Sequence, residues 1–238
     1  MTRRQLAGDA EIAAAVANGE VLRLVLIRRG APAVAQAIAA IARAHGVAVL
    51  ETTANDLRRM SRTQAPCDVL ALLGPEPNAP TGDVMARPGC AWLLVDVAYP
   101  GNAGFAIRSA EVSGAEAIFL DAALDAAGRR QALRASMYAD RFFPVQWLGA
   151  EAVLDAARRA QRRVLAIEDS GKAAPWEADL RGPVLFVIGG ETRGIPATLL
   201  ARCDEILRIP MAGFIPAYNL QAAMAAVAAE RLRQCGGS

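Results

Sequence analysis

Apolar residues recur along this chain with two periods, and the switch between them marks out alternating strands and helices. VLRLVLIRR (Val21–Arg29) alternates and is β-branched enough for a strand. Ala31–Gly46 has helical period and stops at a glycine. VAVLETT (47–53) predicts a second strand, NDLRRMSR (55–62) a short helix capped by Asn55 or Thr53, and CDVLALLG (67–74) a third strand. Pro75–Gly89 then places four prolines and two glycines in fifteen residues, the composition of a linker. Beyond it come a buried strand (Ala91–Val97), a loop (Pro100–Gly104), a helix (Phe105–Ser113) and a strand (Ala117–Leu120). A helix (Glu151–Arg159), strands RRVLAIED (162–169) and PVLFVIGG (183–190), a helix PATLLARC (196–203) and a strand EILRIPM (205–211) follow. A closing helix runs from about Asn219 to Gln234. Short apolar strands alternating with helices predict an α/β fold with a mostly parallel sheet covered on both faces. The expected division is a small α/β domain over 1–75, a linker over 76–89 and a larger domain over 90–238.

Composition narrows the function classes. Of 238 residues, 54% are hydrophobic and 21% charged, ample for a core. No apolar run approaches the 18 or so residues of a membrane span, and no secretory leader is evident, so the expectation is a soluble cytoplasmic protein with no membrane partner. Cys67, Cys90, Cys203 and Cys235 lack CxxC spacing and read as reduced filler. With His45 the sole histidine, at a helix end, neither a Cys/His metal site nor a histidine-based triad is expected, and the metal prediction is none. Net charge is only +2, but residues 1–75 hold nine arginines against six acids. All basic residues but Lys172 are arginine, whose forked guanidinium suits phosphate.

Three polar interruptions each follow a strand, where ligands bind in open α/β sheets. They are YPGNAGFAIRSA (99–110), IGGETRG (188–194) and IPMAGFIPAYN (209–219). IGGETRG is neither G-x-G-x-x-G nor a P-loop, and by its residues alone it is as well a structural turn as a ligand loop. Taken together and in order, Asn102-Ala-Gly104-Phe-Ala-Ile-Arg108-Ser109-Ala110, Gly189-Gly190-Glu191-Thr-Arg-Gly194, Ile209-Pro210-Met211 and Asn219 resemble the SpoU (TrmH-type) branch of the SPOUT methyltransferases. The likeness covers about residues 90–235, and LRASMYADRFFPV is similar to the family's connecting segment. The N-terminal piece resembles the small α/β substrate-binding domain that many of these enzymes carry.

The resemblance implies an S-adenosylmethionine-dependent methyltransferase acting on a ribose 2′-hydroxyl of tRNA or rRNA. It also implies a C-terminal parallel sheet closed by a deep trefoil knot, a rare topology that patterning alone would not suggest. Among the site residues it implies, Arg108 is a catalytic cation, Asn102 its orienting neighbour, Glu191 the carboxylate holding the knot loop, and Asn219 the last motif residue. Cofactor contacts are carried to Ile188, Gly189, Gly190, Gly194, Ile209, Met211, Tyr218, Asn219 and Leu220. The family's S-L-N-V-S reads here Ala217-Tyr218-Asn219-Leu220-Gln221, without both serines, and Gly190 stands where Asn is frequent. The alternative is therefore a knotted RNA-binding protein with weakened or lost catalysis. A homodimer is expected: Leu220, Met224, Val227 and Ala228 form an apolar stripe on the closing helix, although a helix packed on its own sheet needs such a stripe too.

Overall fold

The structure, a computed structural model, describes residues 3–63, 67–190, 193–215 and 217–236. The chain divides into two compact units, Met1–Pro77 and Asn78–Ser238.

Unit 1 runs β1 (Arg4–Ala7), α1 (Asp9–Ala17), β2 (Leu22–Arg28), α2 (Ala33–Ala44), β3 (Ala48–Thr52), α3 (Ala54–Met60) and β4 (Val69–Leu73). Its sheet has the order β1-β4-β2-β3. Strands β2 and β3 are parallel across the α2 crossover, whereas β4 is antiparallel to both β1 and β2. The sheet is thus mixed, where alternation alone predicted parallel pairing. The reason is the length of α3: seven residues rise about 10 Å, too little to carry the chain back along a strand of similar residue count. The chain re-enters near the end at which β3 left it. Of the two candidate caps of α3, Thr53 serves, its Oγ1 accepting from the Asp56 N–H at 3.1 Å. Strand β1 and helix α1 lie in a stretch to which the sequence pattern assigned no element, and RQLA is too short to display alternation. Leu6, Ile12, Val25, Ile27, Ile38 and Val69 form the core.

Unit 2 runs α4 (Thr81–Met85), β5 (Cys90–Val95), α5 (Pro100–Val112), β6 (Ala117–Asp121), α6 (Ala126–Ala135), β7 (Val145–Trp147), α7 (Ala150–Arg159), β8 (Arg163–Ile167), β9 (Val184–Gly189), α8 (Ala197–Leu200), β10 (Glu205–Leu207) and α9 (Leu220–Gln234). Its six strands are all parallel, in the order β10-β8-β9-β5-β6-β7. Strand β5 is buried at every position, as its unbroken apolar run requires of a central parallel strand. Its Trp92 and Leu94 join α5, α6 and α9 in one core layer, and Ala91, Leu93 and Val95 join α4, α7 and α8 in the other.

Three sequence expectations need correction. Residues 78–89 are not a linker: α4 buries Val84 and Met85 in the second core layer. Buried Arg162 holds this segment, donating to the carbonyls of Val84, Met85, Arg87 and Gly89 as well as Val184. Nor is Pro100–Gly104 a loop, since α5 begins at Pro100, where proline's missing N–H and fixed φ are favourable. The apolar stripe of α9 is also covered within the chain: Leu220, Met224, Val227 and Ala228 are all buried in the first core layer. The stripe therefore offers no open face to a second subunit.

All four cysteines are free. Burial pushes the Cys203 thiol up to about 11 and raises that of Cys90, which keeps both protonated and unreactive at neutral pH.

Candidate functional site

Because every strand of unit 2 points the same way, the loops after β5, β8, β9 and β10 leave from one edge. Strand β9 lies between β8 and β5, so its departing loop must pass between theirs. Room for that passage comes from removing side chains. A Cβ on Gly189 would lie 2.3 Å from the Gly194 carbonyl carbon, and one on Gly190 would lie 2.1 Å from the Asp96 carbonyl oxygen. The Gly190 N–H donates to the Val95 carbonyl at 2.6 Å, and Gly190 and Gly194 form a one-pair antiparallel bridge that closes the turn on itself. Glycine at 190, where the family often has Asn, is thus demanded here by the Asp96 backbone.

The turn is tied on both sides. Arg193 forms a two-pronged ion pair with Asp96, Nε to Oδ2 at 2.8 Å and the second nitrogen to Oδ1 at 2.9 Å. The hydrogen bond from Arg193 holds the Asp96 carboxyl below its ordinary range. On the other side, Glu168 at the end of β8 accepts from the Ile195 N–H at 3.0 Å.

Between these loops lies a cleft of about 390 Å³. Ile188, Gly189, Gly190, Gly194, Ile209, Met211, Tyr218, Asn219 and Leu220, the nine positions assigned to cofactor contact, all line it. Ala217, noted in the sequence as the place of a missing motif serine, lines it as well, and so do Ile167, Glu168, Asp169 and Ala223, which were not singled out from the sequence. A signal for two of them existed: Glu168-Asp169 breaks the apolar run at the end of a strand, the same rule that picked out the other loops. Asn219 is the N-cap of α9, its Oδ1 accepting from the Gln221 N–H at 3.1 Å. The Tyr218 hydroxyl donates to the Pro210 carbonyl at 3.4 Å, bridging the ends of the loop it belongs to.

The other predicted positions are not in the lining. Asn102 is half-buried in the first turn of α5, and Arg108 is exposed on the same helix, a turn and two-thirds later. The Arg108 guanidinium pairs with no described residue. Gly104, also in that motif, serves packing: a Cβ there would meet the Ala132 carbonyl oxygen at 2.4 Å, so it lets α6 approach α5. Glu191 lies outside the described residues. Ala217 brings no hydroxyl to the cleft where the family pattern has serine. Among the described residues, no cluster of His, Cys, Asp and Glu could hold a metal, and no helix is long and apolar enough to cross a membrane.

Comparison with known proteins gives this edge a context. Residues 90–229 match the model of the SpoU rRNA methylase family. Over 201 residues the chain is 28% identical to an uncharacterized tRNA/rRNA methyltransferase of Mycobacterium sp. (strain KMS), covering 82% of this chain and 64% of that protein. The chain therefore spans just under two thirds of the length of such curated relatives. Among solved structures it is similar to an RNA 2′-O ribose methyltransferase, with a TM-score of 0.57 and 27% identity over 98% of this chain and 89% of that one. It is likewise similar to the AdoMet-bound rRNA methyltransferase from Sinorhizobium meliloti, with a TM-score of 0.63 and 25% identity over 97% of this chain and 87% of that one. The family match takes in β5 through most of α9, and with them every loop that builds the cleft: the chain belongs to the SpoU rRNA methylase family.

Proposed function

We propose that this protein is an S-adenosylmethionine-dependent methyltransferase that modifies a ribose 2′-hydroxyl of tRNA or rRNA. The observation that carries this reading is the glycine turn at the carboxyl edge of a parallel sheet, set in a cleft within the size range of small-molecule sites. The residues present fit the cofactor. Gly189, Gly190 and Gly194 would bring bare backbone to its polar groups, while Ile188, Ile209, Met211 and Leu220 would enclose its adenine and Tyr218 and Asn219 would close the far wall. Bound S-adenosylmethionine supplies a methyl group that its sulfonium makes electrophilic. The chain's own task at the ribose is then positioning and charge. Arg108, exposed and unpaired among the described residues, is the cation that stabilises the 2′-oxyanion. We assign Asn102 to ordering the first turn of α5, and Glu191 and Asn219 to holding the loops on which the site depends.

The remaining assignments belong to the same reading. Unit 1 is the RNA grip; Arg29, Arg58, Arg59 and Arg62 are exposed near the ends of β2 and α3. The C-terminal part of unit 2 is threaded as a deep trefoil knot. The protein works as a cytoplasmic homodimer, paired through exposed apolar groups of the knot region such as Tyr99, Phe214 and Ile215.

The test is incubation with methyl-labelled S-adenosylmethionine and total RNA, followed by nucleoside mass spectrometry. A labelled 2′-O-methylnucleoside is expected. A labelled base would overturn the ribose assignment, and RNA binding without any label would favour the non-catalytic reading to which Ala217 points.

A further inference from the structure

The loop after β8 contributes the one described carboxylate of the cleft that is committed to another loop's backbone. Glu168 joins three segments. Its Oε2 accepts from the Ile195 N–H at 3.0 Å, just past the glycine turn. Its own N–H donates to the Leu207 carbonyl at 2.9 Å, at the end of β10, and its carbonyl accepts from the Gly171 N–H at 3.1 Å. The second carboxylate oxygen accepts from the Asp169 N–H at 3.3 Å. The fit is close: Gly194 has φ +64°, and a Cβ there would sit 2.9 Å from Glu168 Oε2. Asp169, its neighbour, also lines the cleft, but its carboxylate engages no described residue.

We propose that Glu168 is a positioning residue: its carboxylate sets the height of the Gly189–Ile195 turn over β8, and so the shape of the cleft that receives the cofactor. This rests on the reading that the cleft takes S-adenosylmethionine. The turn's other tether, Arg193 to Asp96, is largely exposed on the arginine side and so exchanges readily with water. Glu168 is half-buried and acts on the N–H of a buried residue, Ile195, where a lost acceptor has no ready substitute. The role needs an acceptor oxygen at this place rather than a negative charge, which separates it from simple attraction of a cationic ligand.

The experiment compares Glu168→Ala, Glu168→Gln and Asp169→Asn by calorimetry with S-adenosylmethionine and with S-adenosylhomocysteine, the product that lacks the sulfonium charge. Hydrogen exchange at the Ile195 amide is followed in parallel. Parent protein that binds neither ligand would sink the cofactor reading itself, before any variant is made. Given parent binding, Glu168→Ala should weaken both ligands alike by about tenfold, the scale of one charge-assisted hydrogen bond, and should speed exchange at Ile195. Glu168→Gln, which keeps an acceptor, should stay within about threefold with Ile195 still protected. Asp169→Asn should leave exchange at Ile195 as in the parent, since its carboxylate engages no described residue. Unchanged Ile195 exchange in Glu168→Ala overturns the proposal. So does weakening confined to S-adenosylmethionine and shared by Asp169→Asn, which would make the effect one of charge. Should the alanine variant fail to fold, a glutamine variant that folds yet loses tenfold overturns it as well.

Discussion

The two ends of the unit 2 sheet solve opposite problems with the same strands. Near the amino ends, Arg162 saturates the backbone: one guanidinium serves five carbonyls from α4, the loop before β5, and β9. At the carboxyl ends the chain removes side chains instead, with Gly189 and Gly190 lying against other backbone and a cleft left beside them. A buried cation with all its donors used has nothing to offer a ligand, and a glycine turn beside a cavity has exposed backbone to spare. The difference teaches where to look for chemistry in a parallel sheet: at the end where satisfaction is left incomplete.

Removing the saturated end should have the largest effect. Arg162→Met removes the guanidinium donor from five carbonyls, of which Val84 has a second donor in the Arg87 N–H, and should cost about 3–5 kcal/mol of unit 2 stability. Arg162→Lys should recover only part, because an ammonium cannot reach five acceptors in a planar fork. Chemical denaturation measures both, and a loss under about 1 kcal/mol for the methionine variant would mean that the amino end is not held as described. Under native conditions cofactor affinity should stay near that of the parent, since the two ends share no side chain.

Next in size comes Arg108, for which we propose a role confined to the transition state. Arg108→Ala should lower methyl transfer by roughly 3–4 kcal/mol in barrier terms while cofactor affinity changes by no more than about threefold. Turnover above a tenth of the parent would remove Arg108 from the reaction.

How much of this was legible beforehand depends on what kind of partner each residue has. The glycine turn was readable because it interrupts an apolar strand with residue types that strands do not need, whereas the other positions that line the cleft came from the family resemblance and not from patterning. Arg162 was not, because its partners are carbonyls, which every residue carries and no sequence displays. For the same reason residues 78–89 looked like a linker: prolines and glycines mark irregular backbone but say nothing of what anchors it. Thr53, whose side chain caps a helix within three residues, could be named as a candidate, whereas the antiparallel entry of β4 turned on the length of α3. Glu168 was within reach. It stands at the end of a strand like the other loops' polar residues, but its function depends on Ile195, 27 positions away. The apolar stripe of α9 was visible too, yet its period could not tell a neighbouring subunit from its own sheet.

Crowding at the open end can be tested by adding one carbon. Gly190→Ala forces the Asp96–Val97 backbone to move and should cost about 1–3 kcal/mol, with cofactor binding weakened alongside. Gly101→Ala, on the same edge in the first turn of α5 and with no atom within 4 Å of the added carbon, should be neutral or stabilising by up to about 1 kcal/mol. Equal stability of the two variants would show that the turn is not packed backbone to backbone.

The smallest effect belongs to the exposed tether. Asp96 has a left-handed φ of 58° and holds Arg193 in a two-pronged pair across the turn. Its folded pKa is depressed, first by the hydrogen bond from Arg193, so the pair's contribution is fully present above the ordinary carboxylate pKa. It is lost only as pH falls through the depressed value. Across neutral and mildly acidic pH the tether should therefore hold the turn unchanged, and acid should release it later than an isolated carboxylate would. Exposure of the arginine keeps the consequence for overall stability slight. Carbon NMR of the Asp96 carboxyl reads this directly: the midpoint should lie below that of a free aspartate and return to the ordinary value in Arg193→Ala. A midpoint at the ordinary value in the parent would show that Arg193 is not paired in solution, leaving Glu168 as the only described side chain that ties the glycine turn down.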